Sequence, residues 1–280
     1  MPFPLERVPD ERPREPDAAR APTTRAGPVV VGVVPCYDVV ATCADVVRAV
    51  AGRVDRVIAV DDGSRDGTGE ALAAVAGASG GRVEVLVHPE NRGKGEALLR
   101  AFRHALDTGP CDVVVTVDGD GQHDASCLDA VVAPCLSGAA LSIGTRAGFR
   151  AMPWKSRFGN TLTSAVLRVL RPGCPPDTQS GFRAHARAFV ERVVEHVVPG
   201  RYETELCILL LALDGGPRVA TVEIPTVYVD GNAATHFRPL ADGLRIYRAL
   251  AARLVRRGRR PGHDARRPGG AAGSAAGPGR

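Results

Sequence analysis

The chain has 280 residues, 44% of them apolar, and a formal net charge of +5. Its longest apolar runs, 29–35 and 207–213, are far shorter than the roughly 18–20 residues that cross a bilayer, and segment 1–27 lacks the apolar centre of a secretory signal. Length and composition therefore argue against an integral membrane protein and a secreted one, and we expect a cytoplasmic protein with one large core.

Composition divides the chain into three segments. Residues 1–27 are rich in proline with balanced charges, and residues 253–280 hold eight arginines against one aspartate. Both segments are predicted to be disordered, on either side of a folded domain at 28–252. The basic tail is either a solvated end or a contact with an anionic membrane surface. No aromatic residue stands between its arginines, which argues against nucleic-acid binding.

Short β-branched runs alternate with amphipathic segments from residue 28 onward, the pattern of an α/β domain with a mostly parallel sheet sandwiched by helices. The predicted strands are 29–34, 56–60, 83–88, 112–117 and 140–144. The predicted helices between and after them are 42–51, 68–76, 95–106, 125–133 and 155–170. After Asp177 the alternation is lost. There we predict an irregular segment, helices at 186–196 and 203–213, a strand around 219–229 and a helix at 240–257.

Polar loops follow the first two strands, at the edge of the sheet where α/β proteins bind ligands. The first strand runs into Pro35-Cys36-Tyr37-Asp38, and the second into Asp61-Asp62-Gly63-Ser64. Adjacent carboxylates repel each other unless a partner takes up their charge, so one of the two could accept hydrogen bonds from a nucleobase or ribose. The alternative is a polar turn that caps the next helix.

The third strand leads to Asn91-Arg92-Gly93-Lys94-Gly95. The two glycines would let the backbone approach a ligand closely, and the helix N-terminus that follows favours negative charge. The spacing is not that of a Walker A loop. The alternative is a glycine-rich helix entry with an exposed lysine.

The fourth strand runs into Asp118-Gly119-Asp120-Gly121-Gln122-His123. Residues two apart on an extended backbone face the same side, so Asp118 and Asp120 can converge on one cation. Hard oxygen donors suit Mg²⁺ or Mn²⁺, and such an ion is useful where a phosphate is held or leaves. We therefore expect chemistry on a phosphorylated substrate, with a simple Asp/Gly turn as the alternative.

Taken in order, the motifs resemble glycosyltransferase family 2, nucleotide-sugar enzymes of the GT-A fold, and more narrowly its polyprenyl-phosphate branch, which includes dolichol-phosphate mannose synthase. The resemblance runs from Val30 to about Arg245. The matching segments are V-V-P-C-Y-D, V-D-D-G-S-R-D-G-T, N-R-G-K-G-E-A, V-D-G-D-G-Q-H, G-T-R at 144–146 and D-T-Q-S-G-F-R at 177–183. One departure is Asp38-Val39, which stands where family members commonly have Asn-Glu.

The resemblance implies four groups of site residues. The nucleotide-sugar pocket would contain Pro35, Tyr37, Asp61, Asp62, Lys94, Asp118 and Gly119. The metal ligands would be Asp118, Asp120 and Gln122. Phosphate groups of donor or acceptor would be bound by Arg146, Arg157 and Asn160. His236 and Arg238 stand where the dolichol-phosphate enzymes often carry a Ser-Lys pair, a second departure, and as cationic groups they could also bind phosphate. The candidates for a catalytic role are Asp120, Arg146, Asp177 and Glu203.

The resemblance also implies a reaction. A hexose would move with inversion from a GDP- or UDP-sugar to a polyprenyl phosphate, and residues 240–257 with the basic tail would touch the inner face of the membrane peripherally. An anionic lipid phosphate needs no strong general base, whereas a hydroxyl acceptor would need one, such as Asp177 or Glu203. That second acceptor class, a small metabolite or saccharide, is the alternative. A nucleotidyltransferase is a distant one, because the glycine-rich loop expected after the first strand is missing.

Overall fold

The computed structural model describes residues 27–146, 174–175, 177–178, 180–201, 203–214, 216 and 218–225. The predicted helices at 155–170 and 240–257 lie outside the described residues. So do four of the predicted site residues, namely Arg157, Asn160, His236 and Arg238.

Within these residues, seven strands form one mixed sheet in the order β3-β2-β1-β4-β6-β5-β7. They are β1 (Val30–Cys36), β2 (Arg56–Asp61), β3 (Val83–Val87), β4 (Val113–Thr116), β5 (Leu141–Arg146), β6 (Arg183–Ala186) and β7 (Val219–Ile224). β6 runs antiparallel to both of its neighbours, and the other pairs are parallel. The prediction of a mostly parallel α/β sheet is confirmed.

Six helices are described. They are α1 (Cys43–Ala51), α2 (Thr68–Ala78), α3 (Lys94–Asp107), α4 (Leu128–Leu136), α5 (Arg187–His196) and α6 (Glu203–Asp214). A 3₁₀ turn, Ala125–Cys127, stands before α4, so the helix predicted at 125–133 begins three residues later in α form.

The two faces of the sheet enter two separate cores. In β2, Ile58 and Val60 pack toward α3, α5 and α6, whereas Val57 and Ala59 pack toward α1, α2 and α4. All four side chains are fully buried. Successive side chains of a strand point to opposite faces of the sheet, so each of the two cores receives every second residue of β2. This sandwich leaves the carboxyl ends of β1, β2, β3 and β4 at one edge.

β6 corrects the prediction that the chain after Asp177 is irregular up to a helix. Arg183 and His185, both 1% exposed, lie on the face that packs toward α3 and α5, and Ala184, also buried, lies on the opposite face, which enters the other core. The His185 ring lies 5.2 Å from the Phe102 ring and 6.3 Å from the Phe189 ring, measured between centroids. A strand whose buried side chains are polar carries no apolar periodicity, so the sequence pattern did not indicate it.

Candidate functional site

The loops after β1 and β2 are joined by hydrogen bonds. Val39 N donates to Thr68 Oγ1 at 2.9 Å, and Asp38 N donates to Ser64 Oγ at 3.1 Å. Asp38 Oδ1 accepts from Arg65 N at 2.9 Å. The φ of Asp38 is 49°, a left-handed conformation that Asp adopts more readily than most residues with a side chain. Asp38 therefore holds the two loops together as one wall of the strand-end site.

The tandem carboxylates of Asp61 and Asp62 are both buried, and the fold uses them differently. Asp61 Oδ1 accepts from Ser64 N at 3.0 Å, within its own loop. The Asp62 carboxylate contacts three groups of the next loop: Arg92 N at 3.0 Å, Gly93 N at 2.8 Å and His88 Nδ1 at 2.7 Å. Asp62 thus fixes the approach to α3, and a nucleotide contact from either aspartate stays a prediction.

Lys94, the first residue of α3, lies between two carboxylates. Its Nζ is 2.6 Å from Asp118 Oδ1 and 3.0 Å from Glu205 Oε2. Burial alone would lower the pKa of Lys94, but the two carboxylates outweigh it and raise that pKa above that of an ordinary lysine. Lys94 is therefore a charged member of the site and not the exposed lysine of the alternative interpretation.

Asp118 and Asp120 differ in their electrostatic surroundings. Burial would raise the pKa of Asp118, but Lys94 and His123, whose Nε2 is 3.6 Å from Asp118 Oδ2, hold it well below its usual range. Burial, and next to it the charge of Asp118, raise the pKa of Asp120. Asp120 Oδ1 accepts from Gln122 N at 3.0 Å. Within the part of the chain that the structure describes, the loop thus holds one compensated carboxylate beside one without a cationic partner of its own.

This arrangement fits a divalent cation held jointly with a substrate. Among the residues that the structure describes, no cluster of three or more His, Cys, Asp or Glu side chains forms a complete metal cage. Mg²⁺ is usually bound by one or two carboxylates together with substrate phosphates and water. A cation would also offset the charge that raises the pKa of Asp120. The donor set of Asp118 and Asp120 therefore suits an ion that arrives with a diphosphate.

The segment before β6 packs directly on Asp118. Thr116 Oγ1 donates to Gly181 O at 2.7 Å, which ties this segment to the end of β4. A Cβ at residue 181 would collide with the Asp118 carboxylate, so any residue other than glycine would displace that carboxylate. The segment also contains Asp177, which is 1% exposed. The close approach brings the predicted catalytic segment next to the predicted metal loop.

Arg183 holds the same segment against α6. Its guanidinium donates at 2.7 Å to three carbonyl oxygens, those of Thr178, Ser180 and Glu205. These contacts satisfy a buried charged group within the fold. They also set the first turn of α6 in a fixed position relative to Asp118.

The structure brings several other predicted residues to this edge. Gly119 packs against the end of β1, since a Cβ there would lie 2.8 Å from Cys36 Sγ and 3.1 Å from Pro35 O. Gly119 O accepts from Thr42 Oγ1 at 2.7 Å. Tyr37 lies half-buried in the loop after β1, and Arg146 ends β5. The roles assigned to these residues stay predictions.

Glu205 lies at the site but is not among the residues predicted from the sequence. The sequence prediction names Glu203, two residues earlier, whereas the structure brings Glu205 into contact with Lys94. One feature of the sequence indicates that Glu205 needs a charged partner. Glu205 falls on the same helical face as Ile208, Leu209 and Ala212, all of them buried, and an acidic residue on a buried face needs a charged partner.

The model of the glycosyl transferase family 2 matches residues 32–197, more than half of the chain. The chain belongs to this family. The segment matched contains the loops after β1, β2, β3 and β4 as well as β6, so it includes most of the site described above. The predicted resemblance is confirmed, and the chain is a glycosyltransferase.

Two named relatives are similar over most of this domain. One is the UDP-N-acetylglucosamine–dolichyl-phosphate N-acetylglucosaminyltransferase of Methanococcus voltae, 26% identical over 71% of this chain and 86% of the relative. The other is the polyprenol monophosphomannose synthase of Mycolicibacterium smegmatis, 29% identical over 62% of this chain and 66% of the relative. Both names fall in the polyprenyl-phosphate branch that the motifs indicated.

A solved structure confirms the GT-A fold. Glucosyl-3-phosphoglycerate synthase from Mycobacterium tuberculosis, crystallised with Mn²⁺ and uridine-diphosphate-glucose, is 26% identical with a TM-score of 0.59, over 85% of this chain and 82% of that one. That protein was therefore solved with a divalent metal and a nucleotide-sugar. In this chain, none of the helices within the described ranges is long and apolar enough to span a membrane.

Proposed function

We propose that this chain is a metal-dependent, inverting glycosyltransferase that moves a hexose from a GDP- or UDP-sugar to a polyprenyl phosphate. The observation that carries the proposal is the carboxylate pair Asp118 and Asp120 at the end of β4. One carboxylate is paired with Lys94, and the other has a raised pKa because burial and Asp118 disfavour its charged form. Such a pair gains from a divalent cation, and the cation gains a ligand set that leaves room for a diphosphate.

On the donor side, Asp118, Asp120 and Gln122 would hold Mg²⁺ or Mn²⁺. When bound, the ion supplies positive charge against the negative charge that develops on the leaving diphosphate. The chain's own contribution is a preorganised wall. The loops after β1 and β2, with Pro35, Tyr37 and Asp61, would enclose the nucleoside, and their hydrogen bonds keep them in place before the donor arrives.

On the acceptor side, a lipid phosphate is already an anion near neutral pH. It can attack the anomeric carbon without prior loss of a proton, so the site needs cationic groups more than a general base. Arg146, together with Arg157, Asn160, His236 and Arg238, would bind phosphate oxygens, a task for which guanidinium groups are well suited. The names of the two relatives support this acceptor class. Residues 240–257 and the basic tail would provide peripheral contact with an anionic membrane.

A second candidate is transfer to a soluble acceptor. It is favoured by the likeness to glucosyl-3-phosphoglycerate synthase over 85% of this chain. A hydroxyl acceptor would need a base. Asp177 lies in the segment beside Asp118, and Glu203 has a buried Oε2 without a hydrogen-bond partner among the described residues. Either carboxylate could serve as that base.

A product assay separates the two candidates. UDP- and GDP-sugars would be incubated with Mn²⁺ or Mg²⁺ and with a short polyprenyl phosphate, with 3-phosphoglycerate, or without acceptor, and nucleoside diphosphate release would be followed. We expect release that needs both the metal and the lipid. Release that responds only to the soluble acceptor would move the assignment to the second candidate, and release of pyrophosphate would indicate a nucleotidyltransferase.

A further inference from the structure

Lys94 sits between two carboxylates that differ in burial. Asp118, the predicted metal ligand, has a side chain 24% exposed, whereas that of Glu205 is 8% exposed. One ammonium group thus serves two carboxylates at 2.6 and 3.0 Å. Of the two carboxylates, Asp118 belongs to the predicted metal ligands, whereas Glu205 lies in the first turn of α6.

The position of Glu205 is fixed by contacts that do not involve its carboxylate. Glu205 O accepts from Arg183 Nη1 at 2.7 Å. The preceding residue, Thr204, accepts through Oγ1 from Gly200 N at 2.8 Å. A Cβ at residue 95 would collide with Thr204 Oγ1, so a glycine next to Lys94 lets the first turns of α3 and α6 meet. The geometry therefore presents a second carboxylate to Lys94 through rigid backbone.

Lys94 and a divalent cation would compete for the same oxygen. Both are positive, and Lys94 Nζ already lies within hydrogen-bond distance of Asp118 Oδ1. The lysine side chain is flexible and its ammonium has three donors, so Nζ can turn away from one acceptor while it keeps another. Without a second acceptor, that turn would leave a buried charge unpaired, which is strongly unfavourable.

We propose that Glu205 is a positioning residue that takes over Lys94 when a divalent cation binds to Asp118. Lys94 neutralises the site before the cation arrives and moves onto Glu205 alone as the cation takes its place. The proposal rests on the metal site of the proposed function. In this exchange the Lys94 ammonium leaves Asp118 for Glu205, and the divalent cation takes its place on Asp118.

The test is a double-mutant cycle on Mn²⁺ affinity, measured without donor or acceptor by electron paramagnetic resonance of free Mn²⁺. The proteins are wild type, Glu205→Gln, Lys94→Met and the double variant. Glu205→Gln should weaken Mn²⁺ binding about tenfold when Lys94 is present, because Asp118 is then the one charged acceptor left to Lys94 among the described residues. In the Lys94→Met background the same change should alter the affinity less than about twofold.

Each alternative gives a different pattern. If Glu205 attracted the metal directly, Glu205→Gln would weaken Mn²⁺ binding equally with and without Lys94. That result would overturn the exchange and leave the metal site of the proposed function intact. If Mn²⁺ binding needs a nucleotide, the same cycle is measured with UDP or GDP added. Absence of Mn²⁺ binding by the wild type both without and with UDP or GDP would overturn the metal site of the proposed function and the exchange with it. Lys94→Met alone provides a further check that does not depend on the Glu205 variant folding. It should bind Mn²⁺ more tightly than wild type, and weaker binding would contradict the proposal.

Glu191→Gln is the matched control. It makes the same chemical change on α5, where Glu191 forms an exposed ion pair with Arg187 at 2.9 Å. Its Mn²⁺ affinity should equal that of the wild type. Thermal unfolding of every variant shows whether the protein in each titration is folded.

Discussion

Two acidic loops at the same edge of the sheet, after β2 and after β4, have similar composition and different surroundings. Asp62, in the first loop, is buried, and both of its oxygens have partners within the protein. In the second, Asp118 depends on Lys94, and Asp120 has a raised pKa. A carboxylate that the protein itself satisfies stabilises the fold, whereas excess negative charge is available to a ligand. Whether an acidic pair stabilises the fold or binds a ligand is therefore indicated by the groups that contact it more than by its sequence.

The largest effect is expected from the loop after β4. Asp118→Asn and Asp120→Asn should each reduce metal-dependent donor turnover by about 100-fold or more, because each removes charge that would hold the cation against the diphosphate. Asp120→Asn should leave the free energy of unfolding unchanged or raise it. The raised pKa of Asp120 means that its ionised form destabilises the fold near neutral pH. Nucleoside diphosphate release and urea unfolding measure the two properties.

Asp124→Asn is the control for that experiment. Asp124 belongs to the same loop, but its carboxylate accepts from Ser126 N at an exposed position. Its turnover should stay within about twofold of wild type, since surface changes of this kind have small effects. Wild-type turnover by Asp120→Asn would contradict the assignment of the loop after β4 to ligand binding.

The loop after β2 should respond in the opposite way. Asp62→Asn places an amide NH₂ among groups that donate to the carboxylate, and the free energy of unfolding should fall by about 2 kcal/mol. Urea unfolding at neutral pH measures this change. A variant that keeps wild-type stability and loses turnover would instead place Asp62 among the ligand-binding carboxylates.

An effect of similar size that depends on pH is expected from the core below β4. Burial, with a contribution from the charge of Arg183, lowers the pKa of His185 to about 3. The unfolded chain has a pKa near 6.5, so the stability from neutral His185 is complete above about pH 6.5 and is lost as pH falls toward 3. Between pH 7 and 5 this loss should be about 2 kcal/mol.

The variant His185→Leu isolates this contribution. It keeps an apolar side chain of similar size against Phe102 and Phe189 and removes the titrating ring. The free energy of unfolding is measured in urea at pH 7 and at pH 5. Its loss between these two pH values should be about 2 kcal/mol smaller for the variant than for the wild type. An equal pH dependence in both proteins would show that His185 does not titrate in this range.

Much of the strand-end edge could be predicted because its signals are local. The apolar run before Asp118 predicts a buried strand, and the spacing of Asp118 and Asp120 predicts two carboxylates on one side. The strands at 56–60 and 83–88 were predicted for the same reason and are β2 and β3. Period-2 burial and strand-end polarity are properties of a few neighbouring residues, so a single sequence carries them.

The remaining features depend on distant partners. Arg183 and His185 fill core positions of β6 partly because Arg183 donates to Glu205 O, 22 residues later, and because the His185 ring packs against that of Phe102 from α3. Lys94 meets Glu205 across 111 positions of sequence. No local pattern shows which charge will find which partner. The helical face of Glu205 predicts only that it is buried and needs one.

The most direct test of the central claim is to detect the glycosylated polyprenyl phosphate by mass spectrometry after incubation with donor sugar and lipid, in the presence of Mn²⁺ and again with excess EDTA. We expect the product with the metal, its loss with EDTA, and a rate of product formation with Mn²⁺ that is lower by about 100-fold or more for Asp120→Asn. Equal product formation with Mn²⁺ and with EDTA would contradict the role assigned to Asp118 and Asp120.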